Sequence, residues 1–427
     1  VQRYDLATLV QAVVAATNDR VGSTTDSDEE MRWRKKMLRA LWSLYHAGAE
    51  GVNLSDVSII VPTCTETFSK ASTLYFTSDY PNGELVERLY QDVDPDAFVI
   101  GPDELDFCDD AADLEAFFEW LGVATEPRKD RRRLDDSDFY DYVLDSLEYP
   151  VSFGGNRLRR ATADEVRSTK RTRLTKVQTI DRLEKVLETA EPHAILAWLP
   201  SISGTLHDWR REGDQEAVLK IRPKNHQNWK QLRDQTLPSH PLWLLRTVEW
   251  LAVENGHGQR RAPRTCSIAS FAGEFSPLVG YPAILDEMDH PVFAELNVDE
   301  TAVVNALQNI GVTSSIENLS WEAFYQILSE LPDRDPDGEI ARRVYRTLVK
   351  NRDGGPPTEL RERFVENGVM YGTDNGTDGY YPVTELRYTN TDSIPSPIVD
   401  RYPILDLDNR LGPKKVENLF GVKGLRN

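Results

Sequence analysis

The feature that most constrains this chain is a sequence pattern that occurs three times. It starts at Ser58, at Val248 and at Asn367, and each time a short apolar run is followed by a polar or Gly-rich break and then by a second run rich in β-branched or aromatic residues. Two such runs around a short break are typical of a β-hairpin. Recurrence of the pattern predicts modules of similar fold within one chain.

Each copy also continues in the same way after its hairpin. Another apolar stretch follows, from Phe98, Tyr281 and Tyr402, and each copy then closes with a helical pattern that ends in Gly-Val, at Gly122, Gly311 and Gly421. A Gly just beyond a helical pattern predicts a left-handed residue that ends the helix, with the next apolar residue packed back on the last turn. Because the copies lie at unequal distances, we expect domain-scale modules with insertions and no regular solenoid.

We therefore predict an α+β protein in which short β-hairpins and small sheets alternate with helical segments, with more helix than strand. Helical spacing of apolar residues is evident at 4–48, 135–147, 177–199 and 319–349. The predicted segments are an N-terminal helical segment (1–50), a first hairpin-plus-helix module (51–150), a helical connector (151–236), a second module (237–318), a second helical connector (319–359) and a third module (360–427).

The stretch YGTDNGTDGYYPVTEL, from Tyr371 to Leu386, offers two interpretations. Asp374, Asp378 and Glu385 fall on ligand positions of an EF-hand loop, but the third position is Gly376 and the residues after Glu385 have a strand pattern where an EF-hand needs a helix. In the second interpretation Asn375-Gly376 forms the tip of a hairpin, where Asn255-Gly256 stands in the second copy. Asn-Gly supplies the positive φ angles of a type I′ turn, so we predict a turn.

The composition indicates an acidic protein of a reducing compartment. The chain carries 70 acidic and 50 basic residues, a formal charge of -20, and only 14 of the basic residues are Lys. Excess carboxylate with scarce Lys suggests a halophilic source, and an ordinary acidic cytosolic protein is the alternative. Three widely separated Cys form neither a disulfide framework nor a metal motif. We expect a cytoplasmic protein, because the sequence shows no membrane-spanning run and no signal peptide.

Four stretches resemble the non-ATPase regions of sacsin-like proteins and their large prokaryotic relatives. These are the hairpin at 61–76, LPSHPLWLLRTVEWL at 237–251, the helical stretch at 319–348, and YPILDLDNRLGPKKVENLFGV at 402–422. The resemblance implies an ATPase domain of the gyrase/histidine-kinase type, upstream or in a separate protein partner. It implies chaperone-like work in eukaryotes or defence in prokaryotes. The Asp-x-Gly-x-Gly box of such ATPases is not met here, since Asp378 stands at the second Gly.

No motif in the chain predicts catalysis. The seven His are scattered without metal-ligand spacing, and a P-loop, a dinucleotide fingerprint and a nucleophile elbow are all absent from the sequence. We therefore expect that the protein is not an enzyme and that it has no cofactor, no metal site and no small-molecule substrate. A metal-dependent nuclease hidden among the many carboxylates stays open as a hypothesis.

One segment runs against the global charge. Between Arg157 and Lys185 ten Lys or Arg stand against four Asp or Glu, and a smaller basic run, Arg128–Arg133, lies shortly before it. Basic clusters displace counterions from nucleic acid, whereas a solvated helix face or a docking strip for an acidic partner has the same composition. The second interpretation is favoured. The candidate contact residues are Arg157, Arg159, Arg160, Lys170, Arg171, Arg173 and Lys176.

Two hypotheses follow. The first is a non-catalytic scaffold, or client- and partner-binding region, of a sacsin-like ATPase system. The second is a nucleic-acid-associated defence component that binds through the basic segment 157–185.

Overall fold

The computed structural model describes residues 5–19, 27–54, 57–134, 137–146, 150–151, 159–160, 172–175, 177–202, 218–221, 230–232, 238–253, 260–267, 280, 282, 290–314, 319–350, 354–389, 401–407 and 411–425. Within them helices exceed strands and short antiparallel hairpins alternate with helices, so the predicted α+β class is confirmed. The chain divides into two compact units, one of residues 1–244 with 291–298 and one of residues 245–290 with 299–427.

Unit 1 combines helices with small sheets. Its helices are α1 (Leu6–Asp19), α2 (Ser27–His46), α3 (Glu84–Tyr90), α4 (Ala111–Leu121), α5 (Asp138–Ser146), α6 (Leu183–Thr189), α7 (Pro192–Ile202), the first part of α8 (His240–Thr247) and α9 (Pro291–Glu295). Its strands are β1 (Ile60–Pro62), β2 (Phe68–Lys70), β3 (Lys129–Arg132), β4 (Pro150–Val151), β5 (Arg159–Arg160), β6 (Thr172–Thr175), β7 (Val177–Ile180), β8 (Val218–Ile221) and β9 (Lys230–Leu232).

Unit 2 holds the second and third copies of the repeat. Its helices are α10 (Glu300–Asn309), α11 (Trp321–Arg334), α12 (Ala341–Lys350), α13 (Thr358–Asn367) and α14 (Pro413–Phe420). Its strands are β10 (Leu251–Ala252), β11 (Arg260–Arg261), β12 (Val369–Asp374), β13 (Thr377–Pro382), β14 (Arg387–Tyr388), β15 (Ile404–Leu405) and β16 (Lys423–Gly424). No helix in the described ranges is both long and apolar enough to cross a membrane.

The two predicted N-terminal helices are α1 and α2. Val10 and Val14 of α1 and Leu38 and Leu41 of α2 are almost fully buried, as their helical spacing predicts. They join the apolar core that continues through the first module. Glu30 and Arg34 of α2 form a buried ion pair at 2.7 Å, whereas the other charged residues of α2 in the described part are exposed or half-buried.

The three copies of the sequence pattern share one strand topology. In each, two arms form an antiparallel pair: β1 with β2, β10 with β11, and β12 with β13. The first arm, or the residue just after it, pairs antiparallel with a third segment, at Thr63 with Val99, Val253 with Pro282, and Gly372 with Leu405. The residues after the second arm pair in parallel with that third segment and with a fourth, which follows the closing helix. The repetition in sequence is therefore a repetition in structure.

The closing helices end as the Gly-Val pattern predicts. Gly122, Gly311 and Gly421 have φ of 106°, 104° and 74°. After α4 the N–H of Val123 donates to the carbonyl of Phe118 at 2.9 Å, and after α10 the N–H of Val312 donates to that of Leu307 at 3.0 Å. This is the Schellman arrangement, and it satisfies carbonyls that the helix leaves unpaired.

The hairpin tip at Asn375-Gly376 is the predicted turn. Asp374 is paired with Thr377, which leaves two residues in the loop, with φ of 49° at Asn375 and 82° at Gly376. Two positive φ values in a two-residue loop define a type I′ turn. The corresponding break of the second copy, 254–256, lies outside the described residues.

The helical expectation for 177–199, and for the connector 151–236 in general, is wrong in part. Residues 177–180 form β7, and β4 to β6, β8 and β9 also fall in or at the edge of the connector, beside the helices α6 and α7. The segment Val177-Gln178-Thr179-Ile180 is rich in β-branched residues, which favour a pleated surface over a helix. The interpretation of the basic segment as a helix face is therefore wrong for 172–175 and 177–180, which are strands.

Candidate functional site

A groove of about 680 Å³ lies in unit 1. Its walls come from the end of α4 and the residues after it, from the turn that follows β2, from β3, and from the residues just before α6. The polar lining comprises the hydroxyl residues Ser72, Thr73 and Thr125, the acids Glu119, Glu126, Asp130 and Asp181, and the bases Arg128, Lys129, Arg132 and Arg182. Val123 and Ala124 are its apolar lining. The described lining contains no His or Cys, and acids and bases are equal in number.

Strand β3 forms one side of this groove because it pairs with a strand far away in sequence. Lys129–Arg132 lies antiparallel to Val177–Ile180, with Lys129 opposite Ile180 and Arg132 opposite Val177. The four residues of β3 are exposed, whereas three of the four on β7 are buried. Pairing therefore brings the smaller basic run, 128–133, next to the end of the larger one.

Arg128 fixes the floor of the groove. Its Nη2 donates to the carbonyls of Leu74 at 2.8 Å and Gly122 at 2.7 Å, and more distantly to that of Ala71 at 3.4 Å. Its guanidinium lies over the ring of Tyr75, 5.5 Å from the centroid. One cation thus satisfies the carbonyls that close the helical turn at 71–73 and the end of α4, and it joins the residues before β3 to the first module.

Two stacked tyrosines support the same site. The rings of Tyr75 and Tyr90 lie 4.6 Å apart, the Tyr75 hydroxyl donates to Oδ2 of Asp181 at 3.2 Å, and the Tyr90 hydroxyl donates to the Asp181 carbonyl at 2.6 Å. Burial raises the pKa of Tyr75 to about 12, so its hydroxyl stays protonated and remains a donor at neutral pH. The hydroxyls of Tyr75 and Tyr90 therefore hold Asp181 in place, at the point where the chain turns from β7 into α6.

Most of the charged groups in the groove are bonded to other protein groups. Arg132 lies 3.0 Å from Asp130 and 3.7 Å from Asp181, and Arg182 forms an ion pair with Asp94. Lys129 is exposed and has no side-chain partner among the residues that the structure describes. The site thus presents a patterned surface with both signs of charge, and no isolated cluster of one sign.

Two carboxyls of the groove have shifted pKa values. Hydrogen bonds from the Arg132 side chain and the Arg131 N–H lower the pKa of Asp130, whereas the pKa of Glu119 is raised. Partial burial and the nearby charge of Glu115 raise its pKa, and a hydrogen bond from Thr125 opposes the rise. A raised carboxyl pKa alone does not make a general acid, because acid–base catalysis also needs a reacting partner within hydrogen-bond reach.

The edge of β3 that points away from β7 is open. The N–H of Asp181 donates to the carbonyl of Arg128 at 2.9 Å, so residues 128, 130 and 132 direct their backbone groups toward β7. By the alternation of an antiparallel ladder, Lys129 and Arg131 direct theirs outward. The outward N–H of Arg131 donates to Oδ1 of Asp130 at 2.7 Å, whereas the outward N–H of Lys129 has no partner within the described residues. The strand edge next to the groove can accept another extended chain.

The structure places only part of the candidate contact set. Arg157, Lys170, Arg171 and Lys176 lie outside the described residues. Arg159 and Arg160 are on β5, opposite Val151 and Pro150 of β4, while Arg173 is on β6, opposite Lys220 of β8. The described members thus belong to two separate small sheets.

Sequence analysis found part of the groove and missed the rest. The Arg128–Arg133 run and Arg182 were recognised as basic, but Tyr75, Tyr90 and Asp181 gave no signal, because their contacts join positions up to 106 residues apart. Comparison with models of protein families, with curated proteins and with solved structures finds no match to this chain.

Proposed function

We propose that this chain is a non-catalytic binding scaffold that receives extended polypeptide segments of a client or partner protein, with the groove of unit 1 as one receiving site. The observation that supports the proposal most strongly is the lining of the groove. It combines an open strand edge with four acids and four bases, most of them already paired within the protein. A polypeptide supplies both backbone hydrogen bonds and charges of either sign, which such a surface requires.

The same lining disfavours nucleic acid as the ligand of the groove. A phosphate backbone binds by displacing counterions with Lys and Arg, and here it would lie against Glu119, Glu126, Asp130 and Asp181. Each of these carboxylates adds repulsion in place of a contact. A nucleic-acid-associated defence component, binding through segment 157–185, is the competing proposal, and the experiment below separates the two.

The resemblance to sacsin-like proteins gives the scaffold its context. In this proposal an ATPase of the gyrase/histidine-kinase type, upstream or in a partner protein, supplies nucleotide-driven motion, and this chain supplies binding surfaces in the cytoplasm. The purified chain should then show no ATP hydrolysis above a blank. Saturable hydrolysis would exclude a non-catalytic scaffold.

The binding test uses a defined extended probe. Lys129 and Arg131 bear the outward groups of β3, so we expect a strand with Glu at alternate positions to bind there, and the probe is the labelled peptide Thr-Glu-Val-Glu-Val-Glu-Thr. A photo-crosslinking residue at Thr73, which is exposed in the groove, should capture the peptide, and one at the exposed Lys36 on α2 should not. A duplex DNA of random sequence is the second probe.

Charge reversal supplies the matched control. Lys129→Glu with Arg131→Glu should weaken peptide binding at least tenfold, since two favourable charge contacts become repulsive. Lys36→Glu with Lys414→Glu changes the net charge equally at exposed positions outside the groove and should leave affinity within twofold. Capture of duplex DNA without capture of the peptide would overturn the scaffold and favour the nucleic-acid proposal.

A further inference from the structure

We propose that strand β13 (Thr377–Pro382) is a second docking site, where an extended, basic polypeptide segment adds to the edge of the five-stranded sheet in unit 2. The site lies on a different unit from the groove and does not depend on it. The sheet has the order β13-β12-β15-β14-β16, so β13 is one of its two edges.

The hairpin geometry identifies the groups available for docking. The pair that closes a two-residue turn, Asp374 with Thr377, is hydrogen-bonded, and such pairs alternate along the ladder. At its other end the N–H of Val383 donates to the carbonyl of Gly368 at 3.0 Å, which fixes the same alternation. Residues 377, 379 and 381 therefore direct their backbone groups toward β12.

Asp378 and Tyr380 direct their backbone N–H and C=O groups away from the sheet. Neither outward N–H has a partner among the described residues. Pro382, which has no N–H, occupies the next outward position, where its missing donor costs no ladder bond. The free edge thus offers two donors and the carbonyls beside them, in the spacing that an added strand requires.

Strand β13 is longer than the corresponding strand of the first copy. The second arm of the hairpin has three residues in the first copy, whereas β13 has six in continuous register; in the second copy the described part of this arm has two residues. The opposite edge, β16, has two residues. Proteins protect edge strands by shortness, charged side chains, Pro or bulges. β13 has a single charge, Asp378, and its Pro stands only at the last position, so the edge from Thr377 to Tyr381 stays open. The long open edge of β13 therefore indicates a use beyond closing the hairpin.

Charge selects the occupant. The hairpin from Val369 to Pro382 contains Asp374 and Asp378, both exposed or half-exposed, and no Lys, Arg or His. A strand with Lys or Arg opposite Asp378 gains a cross-strand ion pair, since opposite charges facing each other on neighbouring strands are favourable. A second copy of this chain would instead bring together two hairpins of the same sign on proteins of formal charge -20. The edge therefore fits a basic segment of another protein.

Hydrogen exchange of single amides tests the proposal directly. The probe is the peptide Thr-Lys-Val-Lys-Val-Lys-Thr, added to the intact chain up to millimolar concentration. The amides of Asp378 and Tyr380 should exchange fast in the free protein and at least tenfold more slowly with the peptide. The amides of Gly379 and Tyr381 should be slow in both states, because they donate to β12.

Two variants at one exposed position separate backbone from charge. Asp378→Pro leaves every ladder bond in place but removes an outward N–H, the charge, and the bond that Oδ1 accepts from the Thr373 hydroxyl at 2.6 Å. Peptide affinity should therefore fall about tenfold or more, and further than in Asp378→Asn, while the hairpin stays folded. Asp378→Asn keeps the N–H and removes the charge, so it should weaken binding by a smaller factor. The same peptide with Glu in place of Lys should protect neither amide.

Three outcomes would overturn the proposal. The first is an absence of protection at Asp378 and Tyr380 with the Lys peptide at millimolar concentration. The second is equal affinity of the parent and Asp378→Pro, which would place the peptide elsewhere. The third is protection of both amides without peptide in a dimer seen by light scattering, which would make a second copy the occupant. A negative result at β13 does not bear on the proposed groove of unit 1, because that groove is tested with a different peptide.

Discussion

At the scale of single residues, the buried polar groups of unit 1 have identifiable tasks. Nη2 of Arg128 donates hydrogen bonds to backbone carbonyls at the ends of two helical turns. The Tyr75 hydroxyl stays protonated at neutral pH because burial raises its pKa. His240 is held among aromatic rings, 5.0 Å from Phe139 and 6.3 Å from Trp243. The contacts of each side chain define its role, and a single substitution of that side chain tests the role.

Replacement of Arg128 should destabilise unit 1. Arg128→Met keeps the length of the side chain but leaves the carbonyls of Leu74 and Gly122 without their donor, so we expect a loss of about 2–4 kcal/mol in the free energy of unfolding. Arg131→Met on the same strand is the control, because its exposed side chain has no partner within the described residues. Urea unfolding of the two variants should differ clearly, and equal midpoints would contradict the role of Arg128.

His240 should make stability depend on pH. Desolvation by burial lowers its pKa from 6.5 to about 4, and its Nδ1 has no hydrogen-bond partner among the described atoms. Between pH 6.5 and 4, His240 therefore binds a proton in the unfolded chain but stays neutral in the folded chain. The free energy of unfolding has its full value above pH 6.5 and decreases as the pH falls toward 4. Between pH 7.5 and pH 5 the loss should be about 2 kcal/mol.

The variant His240→Phe isolates this effect. It removes the titrating ring and keeps an aromatic side chain against Phe139 and Trp243. The difference in unfolding free energy between variant and parent should grow by about 2 kcal/mol in favour of the variant when the pH is lowered from 7.5 to 5, measured by urea titration. A difference that does not change with pH would show that His240 titrates normally.

At the scale of elements, the repeat is stabilised by the way each copy ends. The closing helices stop at a left-handed Gly, and the next Val returns to the core, with Val123, Val312 and Val422 almost fully buried. The short strands contribute few hydrogen bonds of their own. A helix that ends at the correct residue is therefore what aligns the fourth strand segment with the second arm.

Gly122→Ala tests the left-handed helix end. A Cβ at Gly122 would meet nothing closer than 3.7 Å, so the cost should come from the φ of 106° alone and reach about 1–2 kcal/mol. Gly355→Ala is the matched control, since Gly355 lies outside helices and strands, has no positive φ and has open space around it, and it should change stability by less than about 0.5 kcal/mol. Thermal unfolding measures the loss of stability in both variants. Similar losses in the two would show that the backbone conformation at Gly122 is not the cause.

At the scale of the whole molecule, charge is the dominant property. A formal charge of -20 on 427 residues repels itself, and the few described basic patches are largely paired with acids of the same unit. Self-repulsion lowers the stability of a compact state and is screened by salt, with a Debye length of about 10 Å at 0.1 M and 3 Å at 1 M.

Raising the KCl concentration from 0.02 M to 1 M should therefore stabilise the protein. We expect the thermal midpoint to rise by at least about 2–4 °C, the shift that ~1 kcal/mol produces in domains of 150–250 residues. Differential scanning calorimetry measures it, and sucrose at equal osmolality is the control for effects unrelated to charge. A midpoint that stays constant or falls would contradict both the repulsion and the halophilic hypothesis.

Much of the local architecture could be read from the sequence. The helices α1 and α2, the three hairpins, the type I′ turn at Asn375-Gly376 and the left-handed ends at Gly122, Gly311 and Gly421 were all predicted. They depend on residues close in sequence, whose backbone preferences act without tertiary help. The strand β7 was missed, because four residues rich in β-branched side chains form a strand only when a partner such as β3 lies beside them.

By itself, then, the sequence determined which residues turn, where the helices end, and that one pattern is used three times, since φ preferences and apolar periodicity are local properties. Only the tertiary structure decided that Tyr75, Arg128 and Asp181 meet at one groove, and that β3 and β13 keep an open edge. The groove depends on contacts between residues far apart in the chain. An open edge depends on which strand is left without a neighbour. Both are set by the packing of the whole unit, which local preferences do not encode.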